Sequence, residues 1–224
     1  MNPAQCAAVV TAAGASLRMA TAGKKEYRSL QGLPVLARAL LPFVSSDLFF
    51  RVVVTVPPAQ IENVRLLLAP YAPLGNVIFV EGGSTRQASV RLALRALAES
   101  APSFVLIHDG ARPWVGADLV RAVLECTRES GSCVPCLEAS EAIKEIDDGT
   151  SIVRHLDRSR LRCAQTPQGF RFESILSAHE QAQTEAVTCS DDAELYDRYI
   201  GRVSWIPGAP ENRKITWPHD LGGA

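Results

Sequence analysis

The sequence predicts an α/β fold: a mostly parallel sheet covered by helices on both faces, with a protruding β-hairpin arm. Three observations carry this. Strand-length apolar runs alternate with helical periodicity from residue 6 to residue 137, the pattern of successive βαβ units. One of those runs, FRVVVTV at residues 50–56, is apolar almost throughout, as a strand buried on both faces must be. Residues 138–162 then turn polar, with EAIKEI and SIVRHLD on either side of a DDG turn, which reads as a long hairpin.

Residues 6–13 read as the first strand, followed by a Gly/Ala/Ser loop. Residues 34–46 read as a helix with proline in its tolerant first turn. After the strand at 50–56 comes a helix at 59–68, where Ile61, Val64 and Leu68 share one face. Residues 76–80 form the next strand, and 84–99 a helix with Val90, Ala93, Leu94 and Leu97 at helical spacing. A strand at 103–109, a helix at 118–129 and a strand at 132–137 complete the alternation. Beyond the arm, a helix is expected near 172–183, another from Asp191 as N-cap, and a strand at 202–206 that stops at Pro207. An arm of this length cannot bury a core alone, so it should pack on something else, such as a second subunit. The whole of residues 1–224 is expected to be one domain, with the arm at about 138–162 as its dimerisation element.

Composition narrows the function. A net charge of −1 argues against a broad nucleic-acid surface or an anionic-membrane surface. No apolar run reaches the length of a membrane span, and the N-terminus lacks a basic leader pattern. A cytoplasmic protein is expected. Of six cysteines only Cys133 and Cys136 are close. One CxxC in an apolar strand reads as buried thiols in a reducing compartment.

The chemistry-bearing residues are cations, small loops and one metal-capable carboxylate. Ala12, Ala13 and Gly14 begin a loop whose bare backbone can approach a phosphate or a base edge. It matches neither a dinucleotide fingerprint nor a P-loop. Arg18 and Lys25 follow it as a fork donor and a point charge. In EGGSTRQASV, Gly82 could admit a base to the backbone and Ser89 could read its edge. In HDGARPW, Asp109 ends a buried strand where a Mg²⁺–phosphate pair would lie, with Gly110 bare and Arg112 cationic beside it; His108 reads as a structural histidine. Thr166 in TPQGF, Ser190 in SDDAEL, and Lys214 and Thr216 in NRKIT supply further hydroxyls and a late cation. In open α/β sheets ligands sit outside the carboxyl ends of the strands, where the loops after residues 13 and 107 fall. This inventory suits phosphoryl or nucleotidyl transfer, in which positioning and charge stabilisation supply most of the catalysis.

The ordered set AAGASLRM, Lys25 with Tyr27, GGSTRQASV, HDGARP, Lys144 in EAIK, DRSRL, TPQGF, SDDA and NRKIT resembles the 2-C-methyl-D-erythritol 4-phosphate cytidylyltransferase family of non-mevalonate isoprenoid synthesis. The resemblance implies a Rossmann-like nucleotidyltransferase domain, CTP as substrate, Mg²⁺ dependence, and a homodimer whose arm reaches into the partner. It implies that Ala12, Ala13, Gly14, Gly82 and Ser89 hold the cytidine, with Arg18 and Lys25 on the triphosphate. It implies that Asp109 and Gly110 lie by ribose, metal and phosphates, and that Lys214 sits on the α-phosphate. Arg112, Arg158, Thr166, Ser190 and Thr216 would serve the sugar-phosphate side, Arg158 from the partner's arm, with Asp109 shared between both substrates. The sequence departs from the family pattern at Ser16 (a second glycine), Glu26 (a glutamine), Ser190 (a threonine) and Ala142 (a threonine touching the acceptor). The competing readings are a ribitol-5-phosphate cytidylyltransferase, a Rossmann oxidoreductase, and a non-catalytic CTP-binding protein.

Overall fold

The computed structural model describes residues 6–14 and 24–221. The chain opens with β1 (Cys6–Thr11), a small antiparallel pair β2 (Ser29–Leu30) and β3 (Leu33–Pro34), and α1 (Val35–Val44). It continues through β4 (Arg51–Val56), α2 (Ile61–Leu68), β5 (Val77–Glu81), α3 (Arg86–Leu97), β6 (Phe104–Asp109) and α4 (Ala117–Ser130). Then come β7 (Ser132–Glu138), the arm strands β8 (Lys144–Ile146) and β9 (Ile152–His155), and β10 (Arg162–Ala164). It closes with β11 (Gln168–Arg171), α5 (Phe172–Thr184), α6 (Asp192–Tyr199) and β12 (Ser204–Pro207).

The eight-stranded sheet runs β10-β7-β11-β6-β1-β4-β5, with β12 beside β7. Pairs β5–β4, β4–β1, β1–β6 and β12–β7 are parallel, whereas β11 is antiparallel to β6 and β7, as is β10 to β7. The sheet therefore has the mostly parallel, helix-covered form that the alternating pattern predicts. Strand alternation divides the core in two. Cys6, Ala8 and Val10 face α1 and α4, while Ala7 and Val9 face α3, α5 and α6. Leu94 of α3 is fully buried against the second set, worth about 2–3 kcal/mol for such a side chain. Thr85 caps α3 by accepting the Ala88 N–H at 3.0 Å, a bond worth about 1 kcal/mol.

Element boundaries shift in ways that physics explains. The first strand stops at Thr11 rather than residue 13, because residues 12–14 leave the sheet to form a loop. The helix expected at 59–68 begins at Ile61, after the positive-φ Ala59. The last strand is Ser204–Pro207 and so includes the proline, which sits at its end. β10 and β11 lie where no strand was expected. Gln165 and Gln168 are buried there, and their amides are satisfied by Ala209, Asn212, Asp191 and Ala193. Buried glutamines hide the apolar alternation by which a strand is read.

The N-cap role of Asp191 holds, since its Oδ1 accepts the Glu194 N–H at 2.9 Å. The arm is a two-stranded hairpin, and all its strand residues are exposed. Cys133 is buried and Cys136 half-buried, and all six cysteines are free; burial pushes both of those thiols up. Among the described residues no helix is long and apolar enough to cross a membrane.

Candidate active site

The carboxyl ends of β1, β4, β5 and β6 lie in register: Thr11 pairs with Thr55 and Asp109, and Val56 with Glu81. The chain leaves β1 towards β4 on one side and returns through α3 to β6 on the other. Such a reversal opens a crevice above the strand ends. A cavity of about 760 Å³ lies there, within the range of small-molecule sites. Ala13, Gly14, Lys25, Gly82, Ser89, Asp109, Lys214 and Thr216 of the expected set line it.

Three features shape its glycine-rich wall. Gly82 donates its N–H to Val56 O at 2.7 Å. A Cβ at Gly82 would strike the Ala13 methyl and come within 2.8 Å of Ser89 Oγ, so only glycine fits between the two loops. Ser89 Oγ donates to Thr85 O at 2.8 Å and accepts the Gly83 N–H at 3.1 Å. It thus braces the loop while lining the cavity.

The cations converge from distant parts of the chain. Lys25 is buried and donates to Ile215 O at 2.7 Å. Its neighbour Lys24 donates to Ala13 O at 2.7 Å and Gly14 O at 2.6 Å, fastening the loop after β1. Lys214 donates to Asp109 Oδ2 at 2.7 Å. Arg86, the first residue of α3, donates from Nε to Asp109 Oδ1 at 2.9 Å and from Nη1 to Asp192 Oδ2 at 2.8 Å. Arg86 also lines the cavity. Burial by itself would raise the Asp109 pKa, but Arg86, Lys214 and Arg112 outweigh it and hold the carboxyl well below the usual range. Asp192 is lowered in the same way, Arg86 and His179 prevailing over burial. Both carboxylates are therefore charged at neutral pH, and their cations are needed to keep them so.

A second tier lies beneath the cavity and does not line it. Gly110 donates its N–H to Thr11 O at 2.9 Å, and a Cβ there would meet that same oxygen at 2.8 Å. Ala12 is buried, its N–H held by Thr55 O at 2.9 Å. Thr166 Oγ1 accepts the Asp109 N–H at 3.0 Å and meets His108 Nδ1 at 3.0 Å. His108 Nε2 lies 3.2 Å from Arg112 O, an acceptor, so this nitrogen carries the proton and Nδ1 accepts from Thr166. Burial pushes the His108 pKa down to about 4. It is the structural histidine expected, neutral at pH 7. Arg112 donates to Asn212 O at 2.8 Å, and Asn212 Nδ2 donates to Thr166 O at 2.7 Å. Ile215 N–H reaches Ala111 O at 2.8 Å, and the Arg213 guanidinium stacks 4.4 Å over Trp114. These contacts tie the segment carrying Lys214 to the loop after β6.

Two expected residues lie away from the cavity. Arg158 is exposed at the arm, donating to Ser140 O at 3.0 Å. Ser190 is exposed before α6, donating to Glu194 Oε2 at 2.6 Å. Arg18 lies outside the described residues. Sequence reasoning passed over Lys24, Arg86, Asp192 and Asn212. The only signal for Arg86 was its place directly after Gly-Gly-Ser-Thr at a helix start.

The residues fit a Mg²⁺ ion of one kind only. Among the described residues no cluster of three or more potential ligands occurs, and both Asp109 oxygens already carry cations. Such a donor set suits Mg²⁺ that takes most of its ligands from phosphates and water.

A family model described as IspD, 2-C-methyl-D-erythritol 4-phosphate cytidylyltransferase, matches residues 6–224. The bifunctional enzyme IspD/IspF of Rhodopseudomonas palustris (strain HaA2) is 40% identical over 221 residues, covering 98% of this chain and 54% of that protein. The chain thus spans about half the length of the curated relatives it matches. The crystal structure of 2-C-methyl-D-erythritol 4-phosphate cytidylyltransferase from Thermus thermophilus superposes with a TM-score of 0.75 at 32% identity, covering 96% of this chain and 95% of that one. The 4-diphosphocytidyl-2C-methyl-D-erythritol synthase of Anaerococcus prevotii DSM 20548 gives a TM-score of 0.83 at 25% identity, covering 96% and 92%.

Proposed function

Because the chain belongs to the 2-C-methyl-D-erythritol 4-phosphate cytidylyltransferase family, we propose that it joins CTP to 2-C-methyl-D-erythritol 4-phosphate in isoprenoid precursor synthesis. The products are 4-diphosphocytidyl-2-C-methyl-D-erythritol and pyrophosphate. The observation that carries this is the convergence of Lys25, Arg86 and Lys214 with Asp109 on one cavity at the strand ends. An anionic polyphosphate is the ligand that three cations and bare backbone loops best complement.

The acceptor's phosphate oxygen attacks the α-phosphorus of CTP, and the bond from that phosphorus to the bridging oxygen breaks as pyrophosphate leaves. The nucleophile is already anionic near neutral pH, so no base is needed. Both His108 ring nitrogens are committed to Thr166 and Arg112 O, which removes it as a candidate base. Lys25 and Lys214, together with Arg18, neutralise charge as it moves to the leaving group. The loops at Ala13–Gly14 and Gly82 hold the cytidine and Asp109 borders the ribose, while Ala12 and Gly110 support those loops from behind. Asp109 is the residue beside which Mg²⁺ would be held, and the bound ion would supply further charge neutralisation. Arg112, Thr166, Ser190 and Thr216 are read as supports of the acceptor side.

Residues 1–224 are read as one nucleotidyltransferase domain of a cytoplasmic homodimer. The exposed arm supports this: Ile146, Ile152 and Val153 are each more than half exposed, and an isolated hairpin is marginal in water. A partner subunit covering the arm would bring Arg158 to the acceptor.

The test is Mg²⁺-dependent pyrophosphate release from CTP, with methylerythritol phosphate and ribitol 5-phosphate in parallel and Lys25→Ala as control. Release with methylerythritol phosphate alone, lost in the variant, is expected. Release only with ribitol 5-phosphate would change the acceptor, and Ala142 is the residue to examine then. No release with either would leave a CTP-binding role.

A further inference from the structure

Asp109 is shared by two unlike cations. Arg86 Nε holds its Oδ1 at 2.9 Å and Lys214 Nζ its Oδ2 at 2.7 Å. Arg86 is anchored a second time, by Asp192 Oδ2 at 2.8 Å. Asp192 is 1% exposed, and its other oxygen lies 3.2 Å from the Nε2 of His179, a buried residue of α5. The chain Asp109–Arg86–Asp192–His179 therefore joins the end of β6 to α3, α6 and α5. Lys214 differs in its anchoring. Both side chains line the cavity and are about a third exposed, but among the described residues Lys214 pairs with Asp109 alone, whereas Arg86 pairs with two carboxylates.

We propose that Arg86, held by Asp192 and His179, is the permanent counter-ion of Asp109, and that this frees Lys214 to exchange Asp109 for the phosphates of the nucleotide. The inference rests on the CTP reading above. A buried carboxylate stripped of all its cations is strongly disfavoured. Were Lys214 the sole partner, binding phosphate would mean abandoning Asp109. Arg86 removes that conflict. Its planar fork spans both carboxylates, so its departure would take a close cation from two buried charges at once. Lys214 is a point charge on a flexible stem and can be re-aimed while Asp109 stays paired. Arg112 Nε, 3.7 Å from Oδ2, adds a standing positive charge. Arg86, Asp192 and His179 act here as positioning residues, through Lys214.

A double-mutant cycle on CTP affinity tests this, measured by calorimetry on the full chain as wild type, Asp192→Asn, Lys214→Met and the double variant. Asp192 does not line the cavity, so its substitution removes no ligand contact. Asp192→Asn should weaken CTP binding on the order of tenfold in the wild-type background and by less than about twofold in the Lys214→Met background. An equal penalty in both backgrounds, as a general structural defect would give, overturns the proposal, and so does no penalty in the first. Should Asp192→Asn fail to fold, Arg86→Lys repeats the cycle. It keeps a charge near Asp109 but spans one carboxylate, and the same non-additivity is required of it. Inorganic triphosphate serves as a second probe. Wild-type binding of triphosphate without CTP would overturn the cytidine reading alone, and the cycle would be read with triphosphate. Binding of neither would overturn both.

Discussion

His108 and Thr166, 58 residues apart, meet at 3.0 Å beneath the cavity, and Thr166 in turn accepts the backbone N–H of Asp109. A buried neutral imidazole thus orients the hydroxyl that accepts the backbone N–H of the key carboxylate. This has a consequence for pH. The folded protein binds the His108 proton only near pH 4, whereas the unfolded chain binds it near 6.5. Between those values the unfolded state holds more protons, so stability rises with pH and is lost as pH falls from 6.5 towards 4. The loss from this residue approaches about 3 kcal/mol at most. Urea melts across that window should show a shallower slope for His108→Gln than for wild type. Equal slopes would remove His108 as the cause.

Lys214→Met should lower the rate of pyrophosphate release about a hundredfold or more, by analogy with loss of an oxyanion donor. The fold should survive, because Arg86 remains on Asp109. Single-turnover kinetics with a thermal melt of the same sample separates the two. A rate within threefold of wild type, roughly 0.6 kcal/mol of barrier, would take Lys214 out of the catalytic set.

Gly82→Ala should be destabilising by about 1–3 kcal/mol, the usual range for overpacking, and should abolish tight CTP binding. The added methyl meets Ala13 and Ser89, which cannot both retreat without opening the wall. Gly75→Ala is the control, since nothing lies within 4 Å of its Cβ position. It should change stability by less than about 0.5 kcal/mol. Similar melts for the two variants would contradict the close approach at Gly82.

Ile152→Asp should shift the protein from dimer to monomer in sedimentation velocity and leave the secondary structure intact. The side chain is 52% exposed on the free hairpin, so within one chain it has little to lose. A wild-type protein that sediments as a monomer would retire the arm's assigned role.

Much of the site was legible because its signals are local. Asp109 stands at the end of an apolar run, Gly82 and Gly83 at the end of another, and Lys25 behind a loop of small residues. The helix α3 shows its period, and its Thr85 cap precedes it. Arg86 was in plain view in GGSTRQASV and was still passed over. Its partners Asp109 and Asp192 lie 23 and 106 residues away, and no periodicity reports a pairing of that kind. Lys24 was hidden by Lys25, since two adjacent lysines look alike until one is seen to donate to Ile215 O and the other to Ala13 O.

The sequence by itself determined the alternation of strands and helices, the strand ends at which a ligand must sit, and the kinds of residue placed there. Backbone sterics and apolar periodicity act over a few residues, and a few residues suffice to read them. Only the tertiary structure decided that Arg86 and Lys214 share Asp109, and that Arg86 alone of the two is also tied to Asp192. It also decided that Ser89 and Thr166 brace backbone. Those choices depend on where Asp192, Asn212 and Ile215 arrive after the chain has crossed the sheet. A buried charge or N–H takes whichever partner the packing brings within about 3 Å.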